Sequence, residues 1–145
     1  MDSAAIATIV ATVISIIVST FVSTLLQNRK TIKEEMARLR QDIKDLLKIS
    51  IEYPYLEDNT FCNSWSSANK NDEKVQRYDN YCCIVFNLIS QIYKLFEGDE
   101  SKIDDFFATK EMIVRHKKWW KSPSGFLENL NGYSSDFRSY VESKL

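Results

Sequence analysis

Hydrophobic and polar positions divide this chain into two unlike stretches. Residues Ala4 to Leu26 (AAIATIVATVISIIVSTFVSTLL) carry no charge, no glycine and no proline. At about 1.5 Å per residue a helix over this run spans roughly 34 Å, enough to cross a bilayer core of about 30 Å. From Gln27 onward the apolar residues become periodic. Ile32, Met36, Leu39, Ile43 and Leu46 alternate four and three apart, in phase with Val18 and Leu25. That spacing predicts a heptad seam. With Met36 and Ile43 at a, Glu35 falls at g and Arg40 at the following e, the arrangement for an interchain ion pair. The same face would serve equally to pack against the chain's own later helices. Pro54 restricts Tyr53 and predicts a helix end near Ile51 or Glu52.

Beyond Pro54 the pattern predicts three further helices. Residues 55–72 read as a loop with a short turn around Thr60 to Trp65, and the polar run SSANKNDEK marks an exposed connection. A helix is predicted over 72–97, with Val75, Tyr78, Cys82, Val85, Leu88, Ile89, Ile92 and Phe96 on one face. Gly98 suits the C′ position after it. Ser101 and Asp104 resemble a capping box opening a single helix over 102–120, stopped by Pro123 and Gly125. The last helix covers 135–143, with Phe137, Tyr140 and Val141 inward. No strand alternation persists. The expected fold is all-α: a transmembrane helix over 4–26, a juxtamembrane helix over 27–52, and a small cytoplasmic helical bundle over 53–145.

Charge orients the anchor. Only Asp2 precedes the run, whereas Arg29, Lys30, Lys33, Arg38 and Arg40 follow it. The positive-inside rule puts the amino terminus outside and the carboxyl side in the cytoplasm. A cleaved signal peptide would need a basic start and a shorter apolar core. Cys62, Cys82 and Cys83 then face a reducing compartment as free thiols. Within the run, Thr8, Thr12, Ser15, Ser19 and Ser23 fall within an arc of roughly 80°, opposite Ile6, Val10, Val13, Ile17 and Phe21. Such a stripe favours helix packing between copies, and in a closed ring it would line a polar pathway. Hydroxyls that bond their own preceding carbonyls offer the plainer explanation. The partners expected are the lipid bilayer and further copies of the chain.

Composition limits the chemistry. The 145 residues contain one His, three Gly, two Pro and three Cys, with a formal net charge of -1. Neither a dinucleotide fingerprint nor a Walker A spacing is present. Cys62, Cys82, Cys83 and His116 make a poor zinc set, because adjacent cysteines on a helix point about 100° apart. No metal and no cofactor are therefore expected. His116 lies in the run Arg115-His116-Lys117-Lys118-Trp119-Trp120. That run reads first as a solvated helix end, where cations complement the dipole. It also suits anion, nucleotide or RNA contact, with Trp119 as a stacking group. The HEPN ribonuclease motif places an Arg before the His with four to six residues between them. Thr109, Lys110 and Glu111 stand there instead, so no complete catalytic motif exists, and a degenerate HEPN-like helical domain is the most that this implies. Arg77 and Asn80 share a helix face, and Arg77 is expected to join a carboxylate such as Glu57 or Asp58, or else to edge a small-anion pocket.

Three stretches, Glu52-Tyr-Pro-Tyr-Leu-Glu-Asp58, Arg77-Tyr-Asp-Asn-Tyr-Cys-Cys83 and His116-Lys-Lys-Trp-Trp120, together with the N-terminal apolar helix, resemble a family of small bacterial single-pass membrane proteins. The architecture is similar to membrane effectors of phage-defence systems, including the accessory membrane protein of type VI-B CRISPR loci. That resemblance implies a place in the bacterial inner membrane and a role in antiviral defence. It implies a cytoplasmic domain that senses a trigger or assembles, and membrane helices that permeabilise the bilayer as an oligomeric pore. A membrane-tethered RNA- or nucleotide-binding domain, or a scaffold recruiting a cytoplasmic protein, is the alternative. The resemblance transfers no functional residue.

Overall fold

A computed structural model describes residues 3–66, 72–121 and 130–145, with side chains from residue 12 onward. The described residues are all-helical, without a strand. Helix α1 runs Ser3–Glu52, and a 3-10 turn follows at Pro54–Glu57, with a second short one at Leu130–Gly132 before the last helix. Then come α2 (Asn59–Ser64), α3 (Glu73–Leu95), α4 (Glu100–Phe106), α5 (Thr109–Arg115), α6 (Lys117–Lys121) and α7 (Ser135–Ser143). The chain divides into two compact units, Met1–Arg38 and Leu39–Leu145, so the stretch 27–52 is shared between them.

In the first unit, α1 carries large apolar side chains without tertiary cover. Val13, Ile14, Ile16, Ile17, Val18, Phe21, Val22, Leu25 and Leu26 are each exposed by 45% to 63%. Its hydroxyls turn inward on the helix: Thr20 donates to Ile16 O at 2.8 Å and Thr24 to Thr20 O at 2.9 Å. Among the described residues no helix is long and apolar enough to cross a membrane. The side chains of 4–11, which complete the apolar run, lie outside the described residues.

The second unit is built around α3. Tyr78, Tyr81, Cys82, Val85, Phe86, Leu88, Ile89 and Ile92 are buried at helical spacing. Asp72 caps α3 by accepting from Lys74 N–H. Aromatic rings fill the space between helices: Phe86 stacks on Trp119 at 5.4 Å and meets Trp120 at 4.7 Å. Tyr93 contacts Phe137 and Tyr140 from α7. Leu39 and Leu46 on the end of α1 are 0% and 2% exposed, with Ile43 packed beside them. That half of the predicted seam belongs to the chain's own core, while Ile32 stays exposed at 48% and Met36 is half-buried. Glu35 pairs with Arg38 within the helix, and Arg40 lies over the Phe106 ring. Both contacts are made within the chain.

Three local expectations are corrected. The residues 102–120 form three short helices. Phe107 turns extended (φ -156°, ψ 146°) between α4 and α5, and His116 (φ -99°, ψ 17°) separates α5 from α6. The α4 cap is Asp99, which accepts from Lys102 N–H, so Ser101 lies inside the helix. After α3 the left-handed residue is Glu97 (φ 53°), one position before Gly98 (φ 78°). Gly98 N–H reaches Tyr93 O at 3.0 Å and Glu97 N–H reaches Lys94 O at 3.2 Å, which is a Schellman motif with Glu97 at C′. The expected stop at Pro123 and Gly125 lies outside the described residues.

Candidate functional site

Polar groups converge where the 3-10 turn, α2, α3 and α5 meet. Pro54 opens the turn and so fixes the backbone that presents Glu57. Arg115 ends α5, and His116 follows as its C-cap residue, fully buried. The spacing of Ile113, His116 and Trp120 puts all three on the inward side of the chain, despite the cations around them.

Glu57 is the hub. One carboxylate oxygen accepts from the Tyr81 hydroxyl and the other from the Arg115 guanidinium. His116 Nε2 lies 3.4 Å from Glu57 Oε1, within ion-pair distance although it makes no well-aligned hydrogen bond. On its other side, His116 Nδ1 is 2.9 Å from the Tyr78 hydroxyl and 3.9 Å from Cys62 Sγ. The imidazole thus sits between the Tyr78 hydroxyl and the Glu57 carboxylate. Cys62 directs its thiol to Leu56 O at 3.3 Å. Tyr78 and Tyr81 hold the imidazole between them, with centroids 5.6 Å and 5.7 Å away.

Electrostatics follow from these contacts. Burial works to raise the Glu57 pKa, and the close approach of His116 together with the hydrogen bonds from Tyr81 and Arg115 overcomes it, holding the carboxyl down at about 2. The bond to Glu57 raises the Arg115 pKa above its already high ordinary value. Burial pushes the Tyr78 and Tyr81 hydroxyls and the Cys62 and Cys82 thiols upward, so all four stay protonated. Their thiols are therefore poor nucleophiles. Tyr78 and His116 are both 0% exposed, and no lining residue of the described grooves reaches past Arg115 into the network. As it stands, this cluster ties the 3-10 turn, α3 and α5 together. It offers no bound molecule access to the imidazole.

The residues singled out from the sequence are scattered. Thr8 lies outside the described side chains; Thr12, Ser15, Ser19 and Ser23 are exposed on α1, with Ser19 bonding Ile16 O at 3.2 Å. Arg77 does not meet Glu57 or Asp58. Its guanidinium sits 4.1 Å over the Tyr53 ring, donates to the Tyr55 hydroxyl at 3.1 Å and pairs with Glu73 one turn earlier. Arg115 is the cation on Glu57. The run 115–120 does not form one contact surface: Trp119 is 0% exposed, with its indole N–H 2.5 Å from Asp79 Oδ1. Trp120 donates to Glu142 at 2.7 Å. Lys118 donates to Asn63 O at 2.6 Å, and Lys117 is exposed. The stacking group needed for base contact is thus spent in the core. Among the described residues no group of His, Cys, Asp and Glu is arranged to hold a metal ion. Comparison with protein-family models, with curated proteins and with solved structures finds no match.

Proposed function

We propose that this chain is a membrane-anchored helical protein that self-associates, with residues 4–26 in the bilayer and the unit from Leu39 on the cytoplasmic side. One observation carries the reading. The described apolar side chains from Val13 to Leu26 are exposed over most of the circumference of α1, the Ser/Thr stripe taking the rest, and no part of the first unit covers them. So broad an uncovered apolar surface is suited by lipid or other helices around it. Hydroxyls on their own preceding carbonyls suit that setting, because the hydrogen-bonding need is met within the helix. The cations from Arg29 to Arg40 support the orientation. Together with the resemblance stated above, the sharpest form of the reading is an antiviral effector of the bacterial inner membrane whose oligomer permeabilises that membrane.

The test has two stages. The full chain should stay with membranes through an alkaline carbonate wash, and deletion of residues 4–26 should release it. Recovery of the full chain in the wash would overturn the anchor. Detergent-corrected light scattering should then give a discrete assembly of several chains, and expression should collapse the membrane potential only when residues 4–26 are present. A monomer would remove the pore.

A further inference from the structure

A groove of about 400 Å³ runs between α2 and the α5–α6 corner, entirely within the second unit. It is lined by Asn59 and Asn63 from α2, and by Lys110, Val114, Arg115 and Lys117 opposite. The size falls within the range of small-molecule sites, roughly 300–1,000 Å³. Its chemistry is one-sided. Lys110 and Lys117 are exposed and have no acidic partner within ion-pair distance among the described residues. Arg115 is held by one bond to Glu57, which leaves further donors of its fork unspent on the groove side. Asn59 and Asn63 stand one turn apart on the same face of α2, and their amides add neutral donors. Glu111 is the one acid on the wall, set against three cations. Val114, 42% exposed, supplies an apolar floor.

We propose that this groove binds a phosphoryl group carried by a small ligand. A phosphate dianion needs several charge-assisted donors from different directions, and two lysines with a fixed arginine provide them. The neutral amides and the valine floor suit an uncharged body attached to the phosphate better than a bare polyanion, which Glu111 would repel. Arg115 is the link between the groove and the buried network. A phosphate taking the unspent donors of Arg115 would share the guanidinium with Glu57, the carboxylate that faces His116.

Titration calorimetry on the full chain in a zwitterionic detergent tests this, with ADP and inorganic phosphate as separate probes. ADP should bind saturably, more weakly as salt rises. The double variant Lys110→Gln, Lys117→Gln should weaken ADP by about tenfold or more, each lost charge-assisted bond being a large fraction of a small ligand's affinity. Lys102→Gln, outside the groove, should leave it unchanged. Unchanged tryptophan fluorescence would show that the variants fold. Phosphate binding as tightly as ADP, with the same loss in the double variant, would support the site and identify its occupant as free phosphate. No saturable binding of either probe, or binding that the double variant leaves intact, would overturn the proposal.

Discussion

Helix α1 carries two kinds of apolar residue. Between Val13 and Leu26 they are about half exposed, whereas Leu39 and Leu46 are sealed into the second unit. Leucine and isoleucine are no different in the two places, and helical hydrogen bonding continues through both. The difference lies in what surrounds them. Around Leu39 and Leu46 the chain supplies a core of aromatic residues from α3, α6 and α7 and of aliphatic residues such as Ile113 from α5. Around the upstream residues it supplies nothing within the first unit. Burial in the second unit is thus secured by the fold, while the apolar residues of the first have no cover within their own unit.

That contrast can be broken most forcefully at matched leucines. Leu46→Ala should destabilise the second unit by about 2–5 kcal/mol, the usual result of emptying a packed leucine site. Leu26→Ala should shift the same unfolding transition by less than about 0.5 kcal/mol, as for an exposed site. All three tryptophans, Trp65, Trp119 and Trp120, lie in the second unit, so their fluorescence during denaturant unfolding reads that unit alone. Equal effects at both positions would erase the distinction.

A smaller effect concerns acid. Glu57 is held at about 2 in the folded chain, against an ordinary value of 4.5. A depressed carboxyl contributes stability that is fully present above its unfolded pKa and disappears as pH falls through the folded value. The contribution, on the order of 2–3 kcal/mol, should therefore vanish between about pH 4.5 and pH 2. Glu57→Gln should be less stable at neutral pH and should show a flatter acid limb. Parallel pH profiles for the two proteins would show that the carboxylate contributes nothing. The apolar run of α1 has no such group, so no acid effect should arise there.

The smallest expected change is at Glu97. A residue with a side chain at φ 53° sits in a region that glycine occupies more easily. Glu97→Gly should raise the stability of the second unit by about 0.5–1 kcal/mol, read as a higher denaturation midpoint. A lower midpoint would mean that the Glu97 side chain contributes more than its backbone strain costs.

Much of the helical outline was legible because its signals are local. Pro54 ends α1, Asp72 stands at the start of α3, and the apolar faces of α3 and α7 follow a 3.6-residue repeat. The breaks at Phe107 and His116 were not legible, because neither contains glycine or proline. They are imposed by tertiary packing, in which Phe106 meets Phe96 and the buried Thr109 contacts the Tyr140 hydroxyl. The buried network was equally hidden. Arg115 and Glu57 are 58 positions apart, and no local pattern reveals which of several cations will reach a given carboxylate. Arg77 was the nearer choice in sequence, yet Tyr53, Tyr55 and Glu73 occupy it. One signal did point the right way: Ile113, His116 and Trp120 recur at three and four, which marks an inward face even inside a basic run.

Spin labels placed singly from Val13 to Leu26 in full-length protein reconstituted into liposomes test the central claim most directly, through their collision rates with oxygen and with a water-soluble nickel chelate. High oxygen and low nickel accessibility are expected across the run, and high nickel accessibility at Ile51, which is 77% exposed on the second unit. Nickel accessibility at 13–26 equal to that at Ile51 would contradict that claim.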